Sequence, residues 1–179
     1  EAIARAATEF LPLSGASVLF DAGTTTARVA AMLPPDRELV VVTNSVPIAA
    51  RLATAPAVKL QLLGGRVRGL TQAAVGEQVL RALDTMRVDI AIIGTNGISG
   101  RHGLATPGSD EAAVKRAMVR CANYVVVVAD SSKVGHEDFI SFAPIDSVDA
   151  LVTDAEISAA DRAQLTERGV EVVLAGGQP

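Results

Sequence analysis

Five short stretches concentrate the residue types that hold small anions and hydroxyl-rich ligands. They are Asp21-Ala22-Gly23-Thr24-Thr25-Thr26, Thr43-Asn44-Ser45, Gly64-Gly65, Gly94-Thr95-Asn96-Gly97 and Asp130-Ser131-Ser132-Lys133. Glycine lets a ligand approach the backbone, threonine and asparagine offer short hydrogen-bonding arms, and lysine supplies a compact positive charge. The first stretch reads as a loop running into a helix, where unpaired amides and the positive end of the helix dipole attract phosphate. It is not a nucleotide-binding P-loop, because the pattern G-x-x-x-x-G-K-[ST] occurs nowhere in the chain. Taken singly, each stretch has a plain structural explanation: Thr24, Thr25 or Ser45 as a helix cap, Gly64-Gly65 as a tight turn.

Other charged residues are open to two readings. Glu111 and Lys115 lie four apart on one helix face and read first as a surface ion pair worth about 0.2–0.5 kcal/mol. Lys133 follows a strand end, where an ammonium neutralises a phosphate or simply meets solvent. Arg66 and Arg68 are taken as solvent-facing, and His102 as a residue of a mobile loop. Neither His102 nor His136 belongs to a Cys/His ligand cluster, so no metal site is expected.

The elements that must position these residues follow from hydrophobic spacing. Ile3, Ala6, Ala7, Phe10 and Leu11 mark a first amphipathic helix. Apolar runs at 16–23, 37–44, 57–65, 88–97, 124–133, 148–154 and 170–177 read as strands. Helices are expected over 24–33, stopped by Pro34-Pro35, over 45–53 with Ser45 as N-cap, over 74–85, over 110–121, and over 158–169 with Gly169 as the stop. Residues 97–108 read as a glycine-rich loop, and 64–86 are left open as a local excursion. Strands that are apolar nearly throughout and alternate with helices imply an α/β domain: a mostly parallel sheet covered by helices on both faces. In such a sheet ligands bind beyond the carboxyl ends of the strands, which is where all five stretches fall.

Composition narrows the function. Of 179 residues, 49% are hydrophobic but only 3% aromatic, so the core must be aliphatic. A net charge of −4 argues against this chain gripping nucleic acid itself. Cys121 is the sole cysteine, so no intrachain disulfide forms and a reducing cytoplasm is expected. No apolar stretch suggests a membrane span or a signal peptide, and the helical, Met-less beginning suggests a fragment lacking an upstream part.

The strings FDAGTTT, VVTNS, LLGG, DIAIIGTNGIS, GLATPGSDEAAVKRAM and VVVVADSSKVG, in this order, resemble the C-terminal domain of DeoR-family transcription regulators. The resemblance covers residue 1 to about Asp154. It implies a fold shared with ribose-5-phosphate isomerase and coenzyme A transferases, here expected as one sensor domain over 1–179. An N-terminal DNA reader would be absent from this fragment, so DNA is expected as a partner only through that missing part. It further implies a repressor-type role in sugar metabolism, with a phosphorylated sugar or related metabolite as effector, in a homo-oligomer. By motif position, Asp21, Gly23, Thr24 and Thr25 would form the loop meeting the phosphate. Thr43, Asn44 and Gly65 would line the pocket, and Gly94, Asn96 and Gly97 its floor. Glu111, Lys115 and Lys133 would supply charge at the rim. Because like charges repel, Asp21 is expected to orient the loop or bind a sugar hydroxyl.

The chief rival is a sugar-phosphate isomerase of the same fold. Those enzymes share an Asp-Gly-Ala-Asp-Glu string, which here reads Ile93-Gly94-Thr95-Asn96-Gly97. All three carboxylates of that string are replaced, and proton abstraction beside a carbonyl needs such a base. No catalytic residue and no cofactor are therefore expected. A third reading is an oligomerisation module with a vestigial pocket.

Overall fold

The computed structural model describes residues 1–176. In chain order the elements are α1 (Ala2–Ala7), β1 (Ser17–Phe20), α2 (Thr24–Ala30), β2 (Leu39–Thr43), α3 (Val46–Leu52) and β3 (Val58–Leu62). Next come β4 (Arg66–Arg68), β5 (Ala73–Val75), α4 (Glu77–Asp84), β6 (Val88–Ile93), β7 (Gly97–Ser99) and β8 (Gly103–Thr106). The chain continues with α5 (Ser109–Cys121), β9 (Ala122–Val128), β10 (Ile140–Ala143), β11 (Ala150–Asp154), α6 (Ala159–Glu167) and β12 (Glu171–Ala175).

Seven strands form one sheet in the order β12-β11-β9-β6-β1-β2-β3, and every neighbouring pair is parallel. Side chains of a strand alternate between faces, so a sheet covered on both sides needs apolar residues at odd and even positions alike. Val18 and Phe20 of β1 pack on one face with Ala4 of α1, Val29 of α2 and Ile48 of α3. Leu19, between them, joins the opposite cluster with Val79 and Leu83 of α4, Met118 of α5 and Leu165 of α6. The aliphatic composition thus becomes two cores, one on each face of the sheet.

Strand order reverses at β1: β2 and β3 build outward on one side, while β6 and later strands build on the other. Loops leaving β1 and β6 turn apart there, and the gap between them is where ligands settle in open parallel sheets.

The expected alternation holds with three differences. Residues 97–108 contain a hairpin, β7–β8, which β10 extends into a three-stranded antiparallel sheet. These strands are short and glycine-rich, so they carry no period-2 signal of their own. Their burial comes from Ile98 and Leu104, which lie in the core beneath α5 and β10. The helix expected at 74–85 begins at Glu77, because Ala73–Val75 pairs antiparallel with Arg66–Arg68. The run at 124–133 ends as a strand at Val128, leaving Lys133 in a short 3-10 turn held by Asp130. Ser45 caps α3 as expected, accepting a hydrogen bond from the Ile48 amide at 3.4 Å. Gly177, the expected end of the last strand, lies outside the described residues.

Ile92 is fully buried on the central strand β6, within the core shared by α1, α2 and α3. Ile92→Ala is expected to lower stability by about 2–5 kcal/mol, read from the urea midpoint with an unchanged denaturant slope. A loss under 1 kcal/mol would mean that this face is not packed as described.

Candidate functional site

A cavity of about 370 Å³ opens at the reversal point, beyond the carboxyl ends of β1, β2, β6 and β9. Its walls come from separated parts of the chain: the Asp21–Thr26 loop, Asn44 after β2, Gly94–Asn96 after β6, and Asp130 and Lys133 after β9. Helix α5 contributes Glu111, Val114 and Lys115, and the β4–β5 hairpin contributes Arg68, Leu70 and Thr71.

The centre of the site is a buried ion pair. Lys115 Nζ donates to Asp21 Oδ2 and, at 2.8 Å, to the Gly94 carbonyl oxygen. The same Asp21 oxygen accepts the Gly94 amide at 3.1 Å. The two side chains are 9% and 3% exposed, so neither charge has water to fall back on. Burial pushes the Asp21 carboxyl above the ordinary carboxylate range, while Lys115 and the amides of Gly94 and Ala22 pull it back down. The Phe142 ring lies 5.6 Å from the ammonium and closes off its remaining side. Asp21 thus has its partners within the protein. Its carboxylate ties the end of β1 to the start of the loop after β6 and to α5.

Glu111 and Lys115 do not pair with each other. Glu111 instead takes Arg68 at 2.8 Å, bridging α5 to the hairpin, while Lys115 turns inward to Asp21. The reading of Glu111–Lys115 as a surface i,i+4 pair is thus corrected: each pairs with a partner from elsewhere in the chain. Arg68, taken as solvent-facing, lines the cavity, whereas Arg66 stays exposed and pairs with Asp110. Nothing within the local sequence marks Arg68, since its role depends on how the hairpin folds back over α5. His102 is likewise not in this cavity; its Nε2 lies 2.9 Å from the Asp138 carbonyl oxygen.

Of the residues singled out from sequence, Asp21, Gly23, Thr24, Thr25, Asn44, Gly94, Asn96, Glu111, Lys115 and Lys133 stand together on the cavity wall. Three do not, and each has a structural task. Thr43 is fully buried, its hydroxyl donating to the Phe20 carbonyl at 2.7 Å and accepting the Ser45 amide at 3.0 Å. It pins β2 to β1. A Cβ at Gly65 would lie 2.7 Å from the Val75 carbonyl oxygen, and one at Gly97 only 2.4 Å from that of His136. Both glycines serve close backbone approach, Gly65 to β5 and Gly97 to the loop around His136. Asn44 donates to the Ala74 carbonyl at 3.0 Å, while its Oδ1 has no partner among the described residues. Thr24 opens α2 and Gly23 precedes it without a capping side chain.

Removing one member of a buried pair strands the other. Lys115→Ala is expected to cost about 3–5 kcal/mol, whereas Asp21→Asn combined with Lys115→Met recovers most of that loss. Urea unfolding at neutral pH measures both. A single variant within 1 kcal/mol of the parent would show that the pair does not organise the site.

Comparisons with known proteins bear on the fold and the family. Residues 1–155 match the family described as the DeoR C terminal sensor domain. The chain is 40% identical over 172 residues to the HTH-type transcriptional regulator GlpR of Haloferax volcanii, covering 96% of this chain and 67% of that protein. It is 31% identical over 174 residues to the glycerol-3-phosphate regulon repressor of Escherichia coli, covering 97% and 69%. The chain thus spans about two thirds of the length of these relatives. Among solved structures, a probable sor operon regulator from Shigella flexneri superposes with a TM-score of 0.56 at 13% identity, covering 93% of this chain and 87% of that one. Ribose 5-phosphate isomerase A from Methanocaldococcus jannaschii gives 0.52 at 18% identity, covering 74% and 53%. At those identities the structures establish the fold alone. The family match and the curated relatives establish more: the chain belongs to the DeoR C-terminal sensor domain family of transcription regulators.

Proposed function

We propose that the cavity at the strand reversal binds a phosphorylated sugar or a related small phosphate ester without converting it. Occupancy would then be read by a DNA-binding segment of the longer regulator. The observation that carries this reading is that Asp21 and Glu111, two carboxylates on the wall, are both committed to cations, Lys115 and Arg68. Asp130, the third, spends one oxygen on the Ser132 amide at 3.1 Å. A base for proton abstraction needs a free carboxylate beside the substrate carbon, and the isomerase string is replaced here by Ile93, Asn96 and Gly97.

Binding groups are present in the same place. Thr24 and Thr25 offer hydroxyls beside the Gly23 backbone, Asn44 offers an amide, and Lys133 makes no ion pair among the described residues. Lys133 would neutralise the phosphate, with the hydroxyls and amide meeting the polyol. A relative named for the glycerol-3-phosphate regulon supports a phosphate ester as the ligand class. No described helix is long and apolar enough to cross a membrane. The same reading makes residues 1–179 one sensor unit of a cytoplasmic homo-oligomer that regulates sugar metabolism, acting on DNA through its other domain.

Glycerol 3-phosphate and ribose 5-phosphate, titrated in a thermal-shift assay, test the proposal. A ligand at about 100 times its Kd adds roughly 2.7 kcal/mol of stability. Lys133→Ala should weaken the affinity about tenfold, roughly halving that stabilisation, while leaving the unliganded melting temperature in place. Ketose formed from ribose 5-phosphate at enzymatic rates would replace this reading with the isomerase. If no phosphate ester shifts the melting temperature, an oligomerisation module with a vestigial pocket is favoured.

A further inference from the structure

A second groove, also of about 370 Å³, lies on the other side of Lys115 and Phe142. Its ionisable lining is Arg101 and His102 from the β7–β8 turn, Arg116 from α5 and Arg168 after α6. No carboxylate lines it, although the chain as a whole carries a net charge of −4. Basic side chains from three separate parts of an acidic chain therefore converge on one concave surface.

Two of the three arginines are ion-paired at the edge of the groove. Arg168 is fixed by Asp146, at 3.1 and 2.8 Å, and by the Gly100 carbonyl at 3.0 Å. Arg101 is clamped by Glu137. Arg116 differs. Its guanidinium donates to the Ser141 carbonyl at 2.9 Å, and among the described residues it has no ion-pair partner. A carbonyl orients a guanidinium without cancelling its charge, leaving the remaining N–H donors for an anion with matching geometry. The groove also shares a wall with the first cavity. Phe142 lines the groove and faces the Lys115 ammonium, and Arg116 follows Lys115 on α5.

We propose that this groove is a second anion site, taking phosphate, either free or as the head of a small metabolite, with Arg116 as the recognising cation. It does not depend on the first cavity being the effector site. Arg116→Gln keeps a donor for the Ser141 carbonyl but removes the charge, whereas Arg116→Lys keeps the charge.

Calorimetric titration of the chain with inorganic phosphate at low ionic strength tests it, with glycerol 3-phosphate as a parallel arm. Two bound phosphates are expected for the parent chain. Arg116→Gln should lose one of them, by tenfold or more in affinity, while Lys133→Ala loses the other and Arg116→Lys retains both. If only the Arg116-dependent phosphate is seen, the second site stands and the proposal for the first cavity fails. Binding of both ligands unchanged in folded Arg116→Gln, or no Arg116-dependent binding at all, overturns the second site. Should glycerol 3-phosphate but not inorganic phosphate bind in an Arg116-dependent way, the ligand is the ester.

Discussion

The contact between Lys115 and Asp21 is the constraint around which the domain is arranged. A carboxylate and an ammonium removed from water cost several kcal/mol each, and only close geometry with further hydrogen bonds offsets that. Here the Gly94 amide and carbonyl supply those bonds, so three elements far apart in sequence, β1, β6 and α5, meet at one point. That point is also where strand order reverses, so one electrostatic knot sets the width of the crevice that the parallel topology opens.

A ribose 5-phosphate isomerase and this domain share a fold, and two of the three carboxylates on the cavity wall here, Asp21 and Glu111, tie separate elements together. Arg68 and Glu111 repeat the device at the mouth, tying the β4–β5 hairpin to α5. Leu70, 91% exposed at the rim, and Arg68 beside it sit on the one wall that is a hairpin rather than a strand end of the main sheet.

Helix α5 has an unusual concentration of consequences. Its successive residues face different surroundings: Glu111 the hairpin, Val114 and Lys115 the cavity, Arg116 the second groove, Met118 the core. A 3.6-residue period distributes neighbours around the axis, so thirteen residues can serve all of these surfaces. The Phe142 ring, between cavity and groove, belongs to β10, which anchors the small antiparallel sheet against the same helix.

Local sequence determined the alternation of helices and strands, the burial of both sheet faces and the loops that would carry the site. Each of these depends on periodicity and on the residue following a strand, which are properties of neighbours along the chain. Thus Val18, Leu19 and Phe20 could be read as a strand buried on both sides, and Asp21 through Thr25 as its functional end. Only the tertiary structure decided which charges pair, because Glu111 had Lys115 within one turn yet found Arg68 across the hairpin. It also decided that Gly65 and Gly97 serve close backbone approach rather than the cavity, and that β8 pairs with β10, more than thirty residues on. Those outcomes rest on contacts between distant segments, whose energy depends on burial and mutual geometry that no window of neighbouring residues contains.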